Sequence, residues 1–443
     1  MRIMVDMSAT VLHHGHIRLL KQAKQLGTVI VGLTSDVEIL NRHGYRPELS
    51  FEFRKEILEA IKYVDEVVEV PWLITDETLR QFKVDILLHG EDNSNQVSKD
   101  KLIIRPRTRG ISSSEMRIRA LDAIVSIKNR KALLTAGPGS LLTENLLGIE
   151  PCFGRGDRQY QDVEDRVLTR LRQMTGHKHI ARLQGSASLA LEVAIRNFAA
   201  GRVLVVTTGY YADRLAAMCK NARALGSITE VDVISARNVD EAYGRYDWVV
   251  TVYTETSVAL RNDILQMRKL ADRLGAQLIV DSTGSIGLED GHEAADVIAY
   301  SSCKGLFGLT GASFIAYNRE PQVKEHSFNM SLATHINRGM TGPYHAIYSL
   351  DGALERTKEL RESVRVGKDL VCRRYANRLM RPSSEQPLLC TLLRGTVKAK
   401  DDAVILYHPR AAAQGTSVVC HLGEGNLGRL ARGEIYSRIE VID

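Results

Sequence analysis

The feature that most limits what this chain can fold into is an alternation of short apolar runs with amphipathic stretches, met twice. In residues 1–125 the runs at 2–7, 28–33, 66–70, 85–89 and 102–105 are short, apolar and rich in β-branched residues, as strands are. Between them, HIRLLKQAKQLG and FRKEILEAIKYV carry apolar residues at i, i+3, i+4 and i+7, the spacing of one helix face. Strands separated by helices cannot close as hairpins; they make a parallel sheet covered on both faces. A second alternation follows LLTAGPGS: VLVVTT, ITEVDVIS, DWVVTVY, AQLIVDS, DVIAYS and GASFIAY, with helical stretches such as SLALEVAIRNFAAG between them. It predicts a second, larger, mainly parallel sheet. From 341 on, the pattern changes to one long helix, YHAIYSLDGALERTKELRESV, and a smaller α+β tail.

A chain of 443 residues is too long for one core, which fits this doubling. The reading is an α/β chain with a Rossmann-like domain at 1–125, a linker at 126–132 around the basic Asn129-Arg130-Lys131, a larger domain at 133–340, and the helix and small subdomain at 341–443. The net charge of +6 is small for this length, and the charged residues are interspersed. This favours anionic small molecules and argues against nucleic acid or a membrane surface as partner. Six cysteines without a CxxC pair exclude a zinc ribbon or disulfide framework and fit a reducing cytoplasm. No apolar stretch approaches the roughly 20 residues of a membrane span, and no signal peptide is evident, so a soluble cytoplasmic protein is expected.

The first chemical motif is His13-His14-Gly15-His16, between the first strand and the first helix. Two imidazoles three residues apart at a helix N-terminus can face one phosphate chain, where unpaired N–H groups and the helix dipole favour negative charge. Gly15 lets the backbone approach a nucleotide closely. The second motif, Arg107-Thr108-Arg109-Gly110-Ile111-Ser112-Ser113-Ser114, follows the last strand of the same domain and opens a helix capped with Glu115. It combines an arginine fork with hydroxyls at a helix start, a second anion site.

With HHGHIRLLKQAKQLG, SFEFRKEILEAIKYVDEV, the HGED turn and RTRGISSS in order, residues 1–120 resemble the glycerol-3-phosphate cytidylyltransferases. The resemblance implies CTP as nucleotide, and the chemistry of a triphosphate adds Mg²⁺. It makes His13 and His16 the catalytic pair on the triphosphate, and it puts Gly15, Arg107, Thr108, Ser112 and Ser113 on the nucleotide, with Asp92 beside the cytidine. Arg46 stands where the family has a phosphate-binding lysine. Met7-Ser8-Ala9-Thr10 replaces the family's GTFD; Ser8 and Thr10 keep a place at the nucleotide, but the aspartate is gone. Arg109 replaces the glutamate of RTEGIS. Both changes lie at the acceptor end and imply a different acceptor.

In the second half, Asp281 ends the run QLIVD, and Lys304 follows DVIAYSSC. A carboxylate at one strand end and a lysine after the next can reach one ligand at a sheet edge, as pyridoxal phosphate (PLP) chemistry requires. Gly185-Ser186-Ala187-Ser188 opens a helix and offers donors to a cofactor phosphate, and Tyr211 follows a strand where it could stack on a ring. LLTAGPGS, QGSASLALEVAI, VTTGYYADRL, YTETSVALRN, IVDSTGSIG, SSCKGLFGLTGASF and TGPYHAIYSLDGAL resemble class V aminotransferases, nearest to 2-aminoethylphosphonate–pyruvate transaminases. That likeness implies fold type I. It makes Lys304 the Schiff-base lysine and Asp281 the pyridinium partner, stacks Tyr211 on the ring, brings Thr256 near its phenolic oxygen, and puts Ser186, Ala187 and Ser188 at the phosphate. Thr341 would reach a cofactor phosphate across a homodimer interface. The family's substrate-binding RIG arginine is missing; His421 stands near its place, with Arg338 or Arg429 as substitutes.

The fusion predicts a shared metabolite: transamination giving 2-aminoethylphosphonate, then cytidylylation giving CMP-2-aminoethylphosphonate for decorating a polysaccharide or lipid. Two alternatives keep the first domain. In one, dihydroxyacetone phosphate is aminated and serinol phosphate (or glycerol phosphate) is cytidylylated. In the other, the second domain is a non-catalytic dimerisation module.

Overall fold

The computed structural model describes residues 1–128, 131–147, 149, 156–337, 340–410, 413–425 and 434–443. The chain forms two compact units, Met1–Ile124 and Val125–Asp443.

The first unit is a five-stranded sheet of β1 (Arg2–Met7), β2 (Thr28–Thr34), β3 (Glu66–Val70), β4 (Ile86–Gly90) and β5 (Leu102–Arg105), in the order β3-β2-β1-β4-β5. All neighbours run parallel. The order reverses at β1, so its C-terminal end is the topological switch point, where open α/β sheets bind ligands. Ile3, Val5, Val29, Val31 and Leu88 face one core with Leu20 and Ala23 of the helix His14–Lys24. Met4, Ile30 and Leu87 face the other with Leu79. Near-continuous burial along β1 and β2 is the reason their sequences read as unbroken apolar runs.

The second unit is built on a seven-stranded sheet. After β6 (Ala132–Leu134) come β7 (His179–Gln184), β8 (Gly201–Thr207), β9 (Ile228–Ser235) and β10 (Trp248–Val252), then the short pair β11 (Thr254–Glu255) and β12 (Leu260–Arg261). β13 (Gln277–Asp281), β14 (Val297–Ser301) and β15 (Ala312–Tyr317) complete it, in the order β7-β15-β14-β13-β10-β8-β9. Only β15 runs against its neighbours. The helix Ile264–Leu274 shows how its sequence sets its limits. Asp263 accepts from the N–H groups of Leu265 and Gln266, Gly275 closes the helix at φ 70°, and Ile264, Met267, Leu270, Ala271 and Leu274 are buried. Such an N-cap contributes about 1 kcal/mol.

Two expectations need correction, and two strands were not read from the sequence. β7 is an edge strand of the large sheet, hidden in sequence because Arg182 lies inside it, paired with the buried Glu164 at 3.1 Å. The long helix is two, Tyr344–Glu355 and Thr357–Arg374, broken at Arg356, whose side chain pairs with Glu144 and Glu359. The expected linker 126–132 is helix at one end and strand at the other, because the helix Ser113–Lys128 continues into it and β6 opens at Ala132. β6 does not join the large sheet; it pairs in parallel with β18 (Val404–Leu406), after β16 (Cys390–Arg394) and β17 (Thr396–Ala399). Together with β19 (Thr416–Cys420) and β20 (Ile439–Ile442) these strands share a small core around Leu134, Val371, Val419 and Ile435.

Candidate active sites

At the C-terminal ends of β1, β2 and β4 the first unit opens a cavity of about 440 Å³. His13 is the N-cap of the helix His14–Lys24, with extended backbone (φ −144°, ψ 171°). Its Nδ1 accepts from the Gly15 N–H (3.2 Å), and its own N–H donates to Nδ1 of His16 (3.3 Å). The exchange stacks the two imidazoles, with centroids 3.9 Å apart and 25° between planes. A Cβ on residue 15 would lie 3.0 Å from the His13 ring and press on it, so this stack favours glycine there. With both Nδ1 atoms accepting, each neutral ring carries its proton on Nε2. Burial lowers the His13 pKa and, reinforced by the charges of His13 and Arg107, pushes His16 down to about 4. Near pH 7 the pair therefore presents two neutral N–H donors.

Arg107, Thr108, Ser112 and Ser113 line the same cavity, as do Ser8, Thr10 and Asp92. Ser112 Oγ accepts from the Glu115 N–H at 3.1 Å, and Ser113 Oγ donates to the Val11 carbonyl at 3.2 Å, tying the second motif to the first. Arg107 lies 3.7 Å from Asp92. Arg46 is exposed and does not line the cavity. Besides Arg107, the cavity is lined by Arg18 and by Arg117, which donates to Thr10 Oγ1 at 2.9 Å. The signal for Arg117 was the i, i+4 spacing from Ser113, which puts both on one helix face. Arg54 is fully buried and donates to the carbonyls of Ser8, Thr34 (3.0 Å) and Leu49 (3.2 Å) while pairing with Asp36 at 2.5 Å. It binds the ends of β1 and β2 to the loop opposite. Asp6 is nearly buried beneath the cavity, held by Asn95 at 3.0 Å, and burial raises its carboxyl pKa.

The second cavity, of about 450 Å³, lies at the ends of β7, β10, β13 and β14. It gathers Ser186, Ala187, Ser188, Tyr211, Thr256, Asp281 and Lys304, scattered over more than a hundred positions of sequence. Ser186 caps the helix Ala187–Phe198. Asp281 Oδ1 accepts from the Thr283 N–H at 2.9 Å, and Oδ2 lies 3.9 Å from Arg214. Arg214 donates to Ser188 Oγ at 3.1 Å, and its guanidinium sits 5.0 Å from the centre of the Tyr211 ring. Lys304 Nζ stands 5.8 Å from the same centre. Gly137, at φ 134°, passes so close that a Cβ would lie 2.7 Å from Lys304 Cγ.

PLP fits these residues. Thr254 Oγ1, Thr283 Oγ1 and Arg214 Nε are buried without a hydrogen-bond partner among the described residues, as expected of groups that await an acceptor-rich ligand. Among the described residues no three His, Cys, Asp or Glu side chains cluster as a metal site.

A cytidylyltransferase-like family model matches residues 10–119. A glycerol-3-phosphate cytidylyltransferase from Bacillus subtilis (strain 168) is 37% identical over 111 residues, 24% of this chain and 86% of that protein. This chain belongs to the cytidylyltransferase family. Beyond that domain, a 2-aminoethylphosphonate–pyruvate transaminase from Pseudomonas entomophila (strain L48) is 28% identical over 258 residues, 53% of this chain and 70% of that protein. The crystal structure of an aspartate aminotransferase of subgroup IV from Thermus thermophilus superposes with a TM-score of 0.61 at 18% identity, covering 69% of this chain and 99% of that one. The protein is thus an enzyme that joins a cytidylyltransferase to a PLP-dependent aminotransferase fold.

Within the aminotransferase half, one expected contact falls elsewhere. His421 is fully buried, with Nε2 2.9 Å from Thr391 Oγ1 and Nδ1 2.9 Å from the Tyr436 hydroxyl. Burial pushes its pKa to about 3, so it is a neutral core residue and not an anion clamp. Thr341 is exposed and lines neither of these two cavities, as a residue meant for a second copy would be. Arg338 and Arg429 lie outside the described residues. Sequence reasoning also missed Glu255, whose buried carboxylate accepts from the N–H groups of Tyr211 and Ala212 at 3.1 Å and so seats the helix that carries Tyr211. Tyr407 reaches Thr256 at 3.4 Å, and Arg410 donates to the Tyr210 hydroxyl at 3.0 Å, beside the cofactor residues. Forty or more positions separate each of these from the residue it supports, so no local pattern announces them.

Proposed function

We propose that the aminotransferase half makes 2-aminoethylphosphonate and that the cytidylyltransferase half converts it, with CTP and Mg²⁺, to CMP-2-aminoethylphosphonate, an activated headgroup for a polysaccharide or lipid. The observation that carries this reading is the acceptor end of the first cavity, where Thr10 replaces the family's aspartate and hydrogen-bonds Arg117, set beside a second half related to a phosphonate transaminase.

In the first half, a phosphonate oxygen attacks the α-phosphorus of CTP; a new P–O bond forms, the α–β bridge breaks, and pyrophosphate leaves. An ionised phosphonate needs no general base, so the residues act by positioning and charge neutralisation. The Nε2–H groups of His13 and His16 and the first N–H groups of their helix face the phosphates, and Arg107 offsets the charge that grows on pyrophosphate. Mg²⁺ would arrive with the nucleotide.

In the second half, PLP would supply an electron sink for the amine carbon. Asp281 would hold the pyridine proton, Tyr211 would stack on the ring, and Ser186, Ser188 and the start of their helix would take the phosphate. Lys304 would carry the cofactor and move the substrate's proton. Thr341, exposed on its own chain, would serve the site of a second copy in a homodimer.

The glycerol-3-phosphate cytidylyltransferase relative favours a second reading, in which dihydroxyacetone phosphate and serinol phosphate replace the phosphonates. Pyrophosphate release from CTP is to be measured with 2-aminoethylphosphonate, serinol phosphate, glycerol 3-phosphate and phosphoethanolamine, with products identified by mass. Preference for 2-aminoethylphosphonate is expected; preference for an ester sinks the phosphonate reading. Loss of the amino group from alanine or glutamate to the bound cofactor would eliminate the non-catalytic module.

A further inference from the structure

We infer that Arg117 holds the phosphonate or phosphate dianion of the acceptor, in a half-site on the β2–β3 side of the first cavity; the inference rests on the cytidylyltransfer reading. The cavity spans the switch point at β1, and its two sides differ. After β4 and β5 stand Asp92, Arg107 and Thr108, the nucleotide side. After β2 and β3 stand Tyr45 and Trp72, with Arg117 joined to them through the Tyr45 ring, 4.8 Å from its guanidinium. His43 lines this side too and packs edge-on to Trp72, with centroids 4.9 Å apart.

The guanidinium is fixed before any ligand arrives. Nη2 donates to Thr10 Oγ1 (2.9 Å) and Glu48 Oε2 (2.8 Å), Nε donates to the other oxygen of Glu48, and the Tyr45 ring covers one face. An arginine held by neighbours loses little freedom on binding, and its planar fork matches the oxygens of a tetrahedral anion. Residue 10 gives Arg117 a neutral hydroxyl, so Glu48, which is part-exposed, is the one carboxylate paired with it among the described residues. A dianion entering from the cavity therefore finds a cation that is already oriented, and it would share that cation with Glu48, which holds the Nε and Nη2 edge and is itself open to solvent. Arg46, which stands where the family has a phosphate-binding lysine, is exposed and outside the cavity.

The test uses the full chain with CTP, Mg²⁺ and 2-aminoethylphosphonate, comparing Arg117→Gln and Arg117→Lys with the unaltered protein. Acceptor KM should rise by about 10- to 100-fold in Arg117→Gln, the scale of a lost hydrogen bond to a charged group, with partial recovery in Arg117→Lys. CTP affinity, read by titration calorimetry without acceptor, should stay within about twofold. An unchanged acceptor KM, or a CTP affinity that falls by the same factor, overturns the inference. If Arg117→Gln does not fold, Arg117→Lys alone decides by the same split between acceptor and CTP. If the unaltered protein releases no pyrophosphate with any phosphonate or phosphate acceptor, the cytidylyltransfer reading itself fails, a result separable from an active enzyme indifferent to residue 117.

Discussion

Replacing Arg54 by methionine tests whether the first cavity is held open by one buried cation. The side chain has no exposed surface and donates to three carbonyls, those of Ser8, Thr34 and Leu49, besides pairing with Asp36. Methionine fills similar space but donates nothing. Two of the carbonyls, Ser8 and Thr34, end β1 and β2, where neighbouring chain limits access for water; each loses a charge-assisted bond worth about 1.5–3 kcal/mol. The pair with Asp36 adds little, because that carboxylate is 37% exposed and water replaces the arginine there. The expected loss is about 3–5 kcal/mol, in line with breaking other buried ion pairs. Because the chain has two units, one unfolding midpoint would mix them. Native-state hydrogen exchange read by mass spectrometry separates them by peptide. Protection should fall across β1, β2 and the helix Phe51–Glu59 and stay unchanged across β10, β13 and β14. CTP binding should weaken in parallel, since Ser8 lines the cavity. Protection in β1 and β2 within about 1 kcal/mol of the unaltered protein would refute the reasoning, since hydrogen bonds to that many buried groups cannot all be idle.

Three further outcomes are expected. His16→Ala should abolish pyrophosphate release while the visible absorbance of bound PLP persists, and Lys304→Ala should do the reverse; loss of both signals in either variant would contradict two independent sites. Gly137→Ala should weaken PLP incorporation about tenfold or more, because the added Cβ sits 2.7 Å from Lys304 Cγ at a backbone angle that alanine avoids; normal absorbance after reconstitution would contradict this. His292 and His421 are buried with pKa values near about 4 and about 3 against 6.5 when unfolded, so the unfolded chain binds their protons first. The stability they contribute is present above pH 6.5 and is lost as pH falls towards those values, at up to about 2.7 kcal/mol per pH unit for two groups. Urea midpoints of the second unit between pH 6.5 and 4.5 check this; His421→Gln should reduce the slope, and a flat profile would refute it.

Much of the fold was legible because hydrophobic burial leaves a local record. β1, β3, β5 and β9 begin and end where the apolar runs do. Motifs whose residues are neighbours in sequence were equally readable: His13 and His16 stack through a helix cap that spans three residues. Asp281 ends β13 and Lys304 follows the end of β14 by three positions, and strand ends of a parallel sheet share one edge, so both meet at one cavity.

What stayed hidden depends on distance along the chain. β7 was missed because its buried Arg182 is tolerated only by Glu164 on another element, and the pairing of β6 with β18 joins segments about 270 positions apart. His421 and an active-site histidine look alike in sequence; enclosure by Thr391 and Tyr436 makes it a core residue. Arg46 and Arg117 carry the same charge, and only the turn of the helix Ser113–Lys128 brings one of them to the cavity. The sequence by itself determined two α/β units, the nucleotide motif and the lysine–aspartate pair, because periodicity and strand ends are local properties of a chain. The tertiary structure alone decided which arginine lines the first cavity beside Thr10 and which histidine is buried, because exposure and charge pairing are set by residues that meet only when the chain is folded.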